Sequence, residues 1–272
     1  MNRALLVGIN EYPDPNKLNG CVNDATDMQA FLQGICGFAP AAIRLLADSD
    51  ATTKAILDGL AWLIAGVGAG DRLLLHYSGH GAQMPTRNPQ QEIDGLDEVI
   101  CPVDFNWSDE HAIRDKQFFQ MFTSLPQGLE FVWVSDSCHS GDLYRLVAHA
   151  KIAYQRPKTI QPPSEIRIQI EKAREKHVPQ MTLRAAADVN HVALLAACGE
   201  AETAADTSFN GRYNGAFTYF LLQELRGAAG MTSPLDPLSA SVSSDLQKSG
   251  YTQRPGNDGD RAIRARPFLK LT

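Results

Sequence analysis

Short apolar runs alternate along this chain with stretches of helical periodicity. Ala4-Leu5-Leu6-Val7-Gly8-Ile9-Asn10 reads as a buried strand, as do Ile43-Arg44-Leu45-Leu46, Leu73-Leu74-Leu75, Phe131-Val132-Trp133-Val134 and Val192-Ala193-Leu194-Leu195. Between them, Ile56, Leu57, Leu60, Leu63 and Ile64 recur near every 3.6 residues, so a helix starts at Thr52 or Thr53 and ends before Gly66. A first helix runs through Met28-Gln29-Ala30-Phe31-Leu32, with Asn23 or Asp24 as its cap. Further helices are expected around Phe118-Phe119-Gln120-Met121-Phe122, from Asn214 to Leu222, and from Leu235 to Leu246. A terminal strand is expected from Ala262 to Leu271. Strands alternating with helices predict an α/β fold, a mostly parallel sheet with helices on both faces.

Two of these strands end in chemistry. The run ending at Val134 passes into Ser135-Asp136-Ser137-Cys138-His139-Ser140-Gly141, and the run ending at Leu75 into His76-Tyr77-Ser78-Gly79-His80-Gly81. The carboxyl edge of an open α/β sheet is where ligands bind. A thiol there, at the start of a following helix, gains thiolate character from the helix dipole. Taken alone, Cys138 reads equally well as a buried and inert cysteine. His80 alters that balance, because a histidine and a cysteine at two strand ends make a base and nucleophile pair. His80 would take the thiol proton and later protonate a leaving amine. The bare N–H of Gly81, with that of Cys138, would form an oxyanion hole. His139 is a poor base for its neighbour, since adjacent side chains diverge. His76 and His80 have metal spacing only if helical, and they follow a strand.

These two blocks, 58 residues apart from His80 to Cys138, resemble the caspase-like cysteine peptidases of the metacaspase type, whose prokaryotic members are called orthocaspases. The resemblance implies a caspase-like fold with about six or more strands, and a Cys-His endopeptidase cutting after Arg or Lys. It also covers Gly20-Cys21-Val22-Asn23-Asp24, which lines the pocket for the residue before the cut. Cys21, Asp24, Ser78 and Asp136 are then substrate-binding residues, with Asp24 and Asp136 expected at the mouths of adjacent strands. Paired carboxylates suit a guanidinium or an ammonium.

Composition narrows the classes. A net charge of −6 over 272 residues gives no basic field for nucleic acid. No apolar run reaches the ~18 residues of a membrane span, and Met1-Asn2-Arg3 leads into a strand without a signal-peptide pattern or a Pro-rich or zinc-finger extension. Five dispersed cysteines suit reduced thiols in the cytoplasm. Charge is nonetheless unevenly spread: residues 145–184 carry +6 and the remainder −12. With Pro157, Pro162, Pro163 and Pro179, that segment reads as a mobile inter-subunit linker, with an amphipathic helix from Ile166 to Lys176 inside it. It divides a single peptidase domain into halves at 1–144 and 185–272. An acidic pocket beside a basic linker predicts self-cleavage at Lys151, Lys158, Arg174, Lys176 or Arg184; Arg156 is disfavoured by Pro157.

From Gln83 to Asp115 a long polar connection is expected, with Glu92, Asp94, Asp97, Glu98 and Asp104. In the resembled family such acids often bind calcium, and Asp97 and Asp115 fall where ligands would be. Arg114, Lys116 and Arg145 stand where further acids would be, so no cofactor is expected to be required and calcium should activate weakly at most. A phosphatase loop would need an Arg six residues after Cys138, where Tyr144 stands. The remaining alternative is a non-catalytic caspase-like interaction or sensor module.

Overall fold

The expected alternation is realised as a six-stranded sheet in a computed structural model, which describes residues 1–87, 95–138, 155–176, 191–199, 202–227 and 229–269. In chain order the strands are β1 Asn2–Gly8, β2 Ile43–Ala47, β3 Arg72–Ser78, β4 Gly81–Pro85, β5 Leu96–Ile100, β6 Ile113–Arg114, β7 Glu130–Asp136, β8 Arg156–Pro157, β9 Val192–Ala196, β10 Ala205–Phe209, β11 Arg212–Gly215 and β12 Gly256–Gly259. The helices are α1 Cys21–Gly34, α2 Thr53–Ile64, α3 Asp115–Thr123, α4 Ser164–Lys176, α5 Ala216–Arg226, α6 Leu235–Lys248 and α7 Arg261–Arg264.

The central sheet has the order β12-β9-β7-β3-β1-β2, with β12 alone antiparallel. Side chains alternate between two cores, as the period of two requires. Leu6, Leu74, Val132, Val134 and Leu195 face α1, α5 and α6 through Met28, Phe31, Phe217, Leu221 and Val242. Leu5, Val7, Leu73, Leu75 and Phe131 face α2 and α3 through Ile56, Leu60, Leu63, Phe118 and Phe122. Burial on both faces explains why these strands read as continuous apolar runs. The parallel register places Ser78 opposite Asp136. His80 and Cys138 therefore each lie two residues beyond a matched pair on neighbouring strands.

Four expectations need correction. The supposed polar connection from Gln83 to Asp115 holds an antiparallel sheet in the order β4-β5-β6. Its polar residues hid it, since the main apolar bulk is Met84 of β4, Leu96, Val99 and Ile100 of β5 and Ile113 of β6, scattered among them. The terminal strand at Ala262–Leu271 is absent among the described residues. Asp260 caps α7 there, accepting from the Ala262 N–H, and the edge strand comes earlier as β12. An edge strand held by backbone bonds needs no apolar face, so Gly256-Asn257-Asp258-Gly259 left no hydrophobic signal. The first helix starts at Cys21 behind Gly20, so neither Asn23 nor Asp24 caps it. Finally, the described part of the basic segment is not a loose linker: β8 pairs with β10, Lys158 is buried, and α4 follows. Among the described residues no helix is long and apolar enough to cross a membrane.

Candidate active site

The turn carrying His80 is fixed by two buried tyrosines. The Tyr12 hydroxyl accepts from the His80 N–H at 3.0 Å and donates to the Cys101 carbonyl at 2.8 Å. The Tyr77 hydroxyl donates to the His80 carbonyl at 2.6 Å. Any side chain at Gly79 would strike both hydroxyls, which is why the turn has a glycine there. The Tyr12 ring also lies 4.5 Å from the imidazole, centroid to centroid.

The imidazole itself has a defined tautomer. Nε2 lies 2.7 Å from the Asn16 carbonyl, which can only accept, so Nε2 carries the proton and Nδ1 keeps its lone pair. Burial lowers the His80 pKa to about 4, although the backbone carbonyls of Asn16 and Lys158 favour the charged ring. His80 is thus a neutral base at ordinary pH. His76 is a different histidine: burial lowers it to about 4, and its Nε2 meets the Thr218 hydroxyl at 3.3 Å inside the core.

Cys138 is fully buried, its thiol against the N–H and carbonyl of Ala204. Among the described residues no hydrogen bond joins it directly to His80. What connects the two is the backbone of Lys158. The Lys158 carbonyl accepts from the Gly81 N–H at 3.1 Å and from the Cys138 N–H at 3.2 Å. These are the two donors expected of an oxyanion hole.

The Lys158 side chain completes the arrangement. Its ammonium, with no exposed surface, lies 2.9 Å from Asp136 Oδ1, 3.3 Å from Asp24 Oδ2 and 2.9 Å from the Ser78 hydroxyl. Ser78 also donates to Asp24 at 2.7 Å. Cys21 sits beside them, fully buried, and burial pushes its thiol pKa up. The sequence-predicted pocket residues are therefore together, with one change of place. Asp136 ends β7 as expected, but Asp24 comes from the first turn of α1 rather than a strand mouth.

The amino end of α5 supports both carboxylates. Gly215 donates its N–H to Asp24 at 2.9 and 3.0 Å, and Thr218 gives Asp136 its N–H at 3.0 Å and its hydroxyl at 2.7 Å. A helix N-terminus favours negative charge, which offsets part of the repulsion between the acids. A Cβ on Gly215 would collide with Lys158 Nζ, Asp136 and Asp24 at once. Gly215 is thus a wall of the pocket that must stay bare.

Sequence reasoning missed Tyr12, Tyr77, Gly215 and a third acid, Asp206. Asp206 is buried on β10, accepts from the Asn19 N–H at 2.7 Å and feels the Lys158 charge. Burial raises its pKa, and it raises that of Asp24 to about 7, where Asp136 adds to the rise and Lys158 opposes it. For Lys158 burial disfavours charge, yet attraction from Asp136, Asp24 and Asp206 holds the ammonium well above its ordinary pKa. One cation amid three carboxylates stays charged.

Among the described residues Asp97 and Asp115 belong to no cluster of acids that could hold a cation. Asp97 is 1% exposed and already carries Arg114 Nη1 at 2.6 Å and Lys116 Nζ at 2.7 Å. Arg114 also pairs with Asp109, which holds Arg87 at 2.8 Å. Asp115 opens α3, where it accepts from the Lys116 N–H at 2.8 Å. A calcium ion at Asp97 would face a guanidinium and an ammonium, so the residues do not fit it. Glu92, Asp94 and Arg145 lie outside the described residues, as do His139, Tyr144, Lys151 and Arg184.

A profile described as metacaspase, peptidase C14 domain matches residues 2–147. Metacaspase-7 of Arabidopsis thaliana is 37% identical over 171 residues, covering 61% of this chain and 40% of that protein. Metacaspase-1B of Aspergillus fumigatus is 39% identical over 145 residues, covering 51% and 35%. The matches span well under half the length of these relatives. Among solved structures, a protein from Geobacter sulfurreducens aligns with a TM-score of 0.72 at 25% identity, covering 99% of this chain and 98% of that one. Caspase-1 from Spodoptera frugiperda gives 0.57 at 14% identity, covering 95% and 86%, a likeness of fold.

Proposed function

The chain belongs to the metacaspase family of peptidase C14 domains and has the caspase-like fold, and from that premise we propose that it is a cysteine endopeptidase cutting after lysine or arginine. The observation that carries the reading is the double placement of Lys158. Its carbonyl sits between the N–H groups of Gly81 and Cys138 while its ammonium sits among Asp24, Asp136 and Ser78. That is how a peptide with a basic residue before the bond would lie, and here the chain supplies it. The first bond to be cut is then Lys158–Thr159 of the protein itself. Of the five self-cleavage sites expected from charge, Arg174 and Lys176 lie on helix α4, whereas Lys158 follows the extended β8.

The chemistry follows from the donors in place. His80 Nδ1 takes the Cys138 proton, and the thiolate attacks the Lys158 carbonyl carbon. Negative charge on the carbonyl oxygen is held by the Gly81 and Cys138 N–H groups. His80 then delivers its proton to the Thr159 nitrogen as the C–N bond breaks, leaving a thioester on Cys138. Water, deprotonated by His80, hydrolyses that thioester to the Lys158 carboxylate and frees the thiol. No step calls on a metal ion, and the Arg114 and Lys116 pairing at Asp97 supports activity independent of calcium. The five free cysteines suit a reducing, cytoplasmic setting.

A panel of fluorogenic peptides varying only the residue before the bond tests this function, run with an epoxide label for Cys138. Turnover confined to Arg and Lys peptides, lost in Cys138→Ala and His80→Ala, is expected. Equal turnover of Asp-ending peptides refutes the specificity. No turnover and no selective label would leave the non-catalytic module as the reading.

A further inference from the structure

The chain is also held in place on the far side of the Lys158–Thr159 bond. Before the bond, β8 runs antiparallel to β10, with Pro157 opposite Ala205 and Arg156 opposite Asp206, and the Lys158 N–H donates to the Ala204 carbonyl. After the bond the partner changes. Thr159 bridges Gly81 in the parallel sense, and the Ile160 N–H approaches the Gly81 carbonyl at 3.4 Å. Gly81 thus uses its N–H on one side of the bond and its carbonyl on the other, which fixes the register of both.

The side chains of these two residues are enclosed. Thr159 is 5% exposed, so a short side chain fills its place. Ile160 is 7% exposed and belongs to the apolar cluster that includes Ala82, Met84, Val99 and Ile100 of β4 and β5. Three of the next four residues, Gln161, Pro163 and Ser164, are exposed, so enclosure is specific to the residues flanking the bond. An aliphatic side chain in such a pocket is favoured by desolvation, and a carboxylate there would be buried without a partner.

We infer that the β4–β5 sheet forms a leaving-side specificity pocket, and that the enzyme selects extended protein segments of the order basic, small, aliphatic. This rests on the peptidase reading above and extends it to the second residue after the cut. Aliphatic fit of this kind discriminates by about ten- to two-hundredfold.

The test uses the wild-type protein and three substrates. Two are internally quenched peptides, Arg-Pro-Lys-Thr-Ile-Gln and Arg-Pro-Lys-Thr-Asp-Gln. The third, Arg-Pro-Lys-aminomethylcoumarin, carries nothing of peptide nature beyond the bond. The Ile peptide should be cut with a kcat/KM at least about tenfold above the Asp peptide. Equal rates for the two overturn the inference and leave the peptidase reading intact. Turnover of the coumarin substrate with neither hexapeptide cut overturns it as well. No turnover of any of the three removes the peptidase reading and this inference together.

Discussion

Two buried charge clusters in this protein have opposite surpluses. The pocket at the sheet edge gathers Asp24, Asp136 and Asp206 around one cation, Lys158. The cluster beside β5 gathers Arg114 and Lys116 around one buried acid, Asp97, with Asp109 and Arg87 at its rim. An acid surplus leaves a standing demand for a cation, whichever chain provides it. A basic surplus removes the demand, because a bound cation would be repelled. On the proposed function the first cluster is a recognition site, whereas the second is a structural clamp joining β5 to the start of α3. Both draw on acids that look alike in the sequence, and only their partners tell them apart.

The largest effect expected from breaking this contrast is in the pocket. Asp136→Asn should lower kcat/KM for Arg and Lys peptides by about a hundred- to a thousandfold, as expected when one partner of a buried ion pair is lost. Steady-state kinetics on the fluorogenic panel would measure it, and a loss below about tenfold would mean Asp136 is not the main counter-charge. Gly215→Ala should be comparably severe through steric blockage alone, without removing any charge.

Asp97→Asn should act on the fold instead. Removing that carboxylate leaves Arg114 and Lys116 short of counter-charge, at a cost of about 3 kcal/mol in chemical denaturation. The preference for Arg and Lys before the bond should not change. If it did, the two clusters would not be independent.

A smaller effect is expected from pH. Asp24 is raised to about 7 by burial, so it gains its charge, and the pocket its full hold on Lys158, as pH rises through that value. His80, lowered to about 4, is already neutral across this window. The rate of self-cleavage should therefore rise with pH up to about 7, by up to about tenfold per unit, and then level off. A limb near 4 with none near 7 would assign control to His80. The smallest effect expected is from calcium: millimolar ion or a chelator should leave the rate unchanged, and a strict requirement would contradict the clamp.

Much of the candidate site's geometry was legible because a parallel sheet converts sequence into position. Once β3 and β7 are read as strands, His80 and Cys138 must share an edge, and the register of Ser78 with Asp136 brings the pocket with them. The resemblance added Cys21 and Asp24, but Asp24 reads as a helix cap until its burial beside Asp136 is seen. Lys158 was legible only as one of several basic residues in a Pro-broken stretch. Nothing local says that β10 will hold that stretch as a strand, since pairing between segments so far apart leaves no periodic signal. Tyr12 and Tyr77 were hidden for a related reason. Their hydroxyls act on the backbone of His80, and a buried tyrosine in an apolar run looks like core.

The self-cleavage reading requires that the chain hold its own Lys158–Thr159 bond as a substrate. Intact-mass and terminal mapping of freshly prepared wild type, Lys158→Gln and Cys138→Ala would test it most directly. A wild-type fragment pair with a carboxyl end at Lys158 and an amino end at Thr159 is expected, with neither variant cut at that bond. A wild type that cleaves fluorogenic peptides yet keeps the Lys158–Thr159 bond whole, or the same cut in Cys138→Ala, would contradict it.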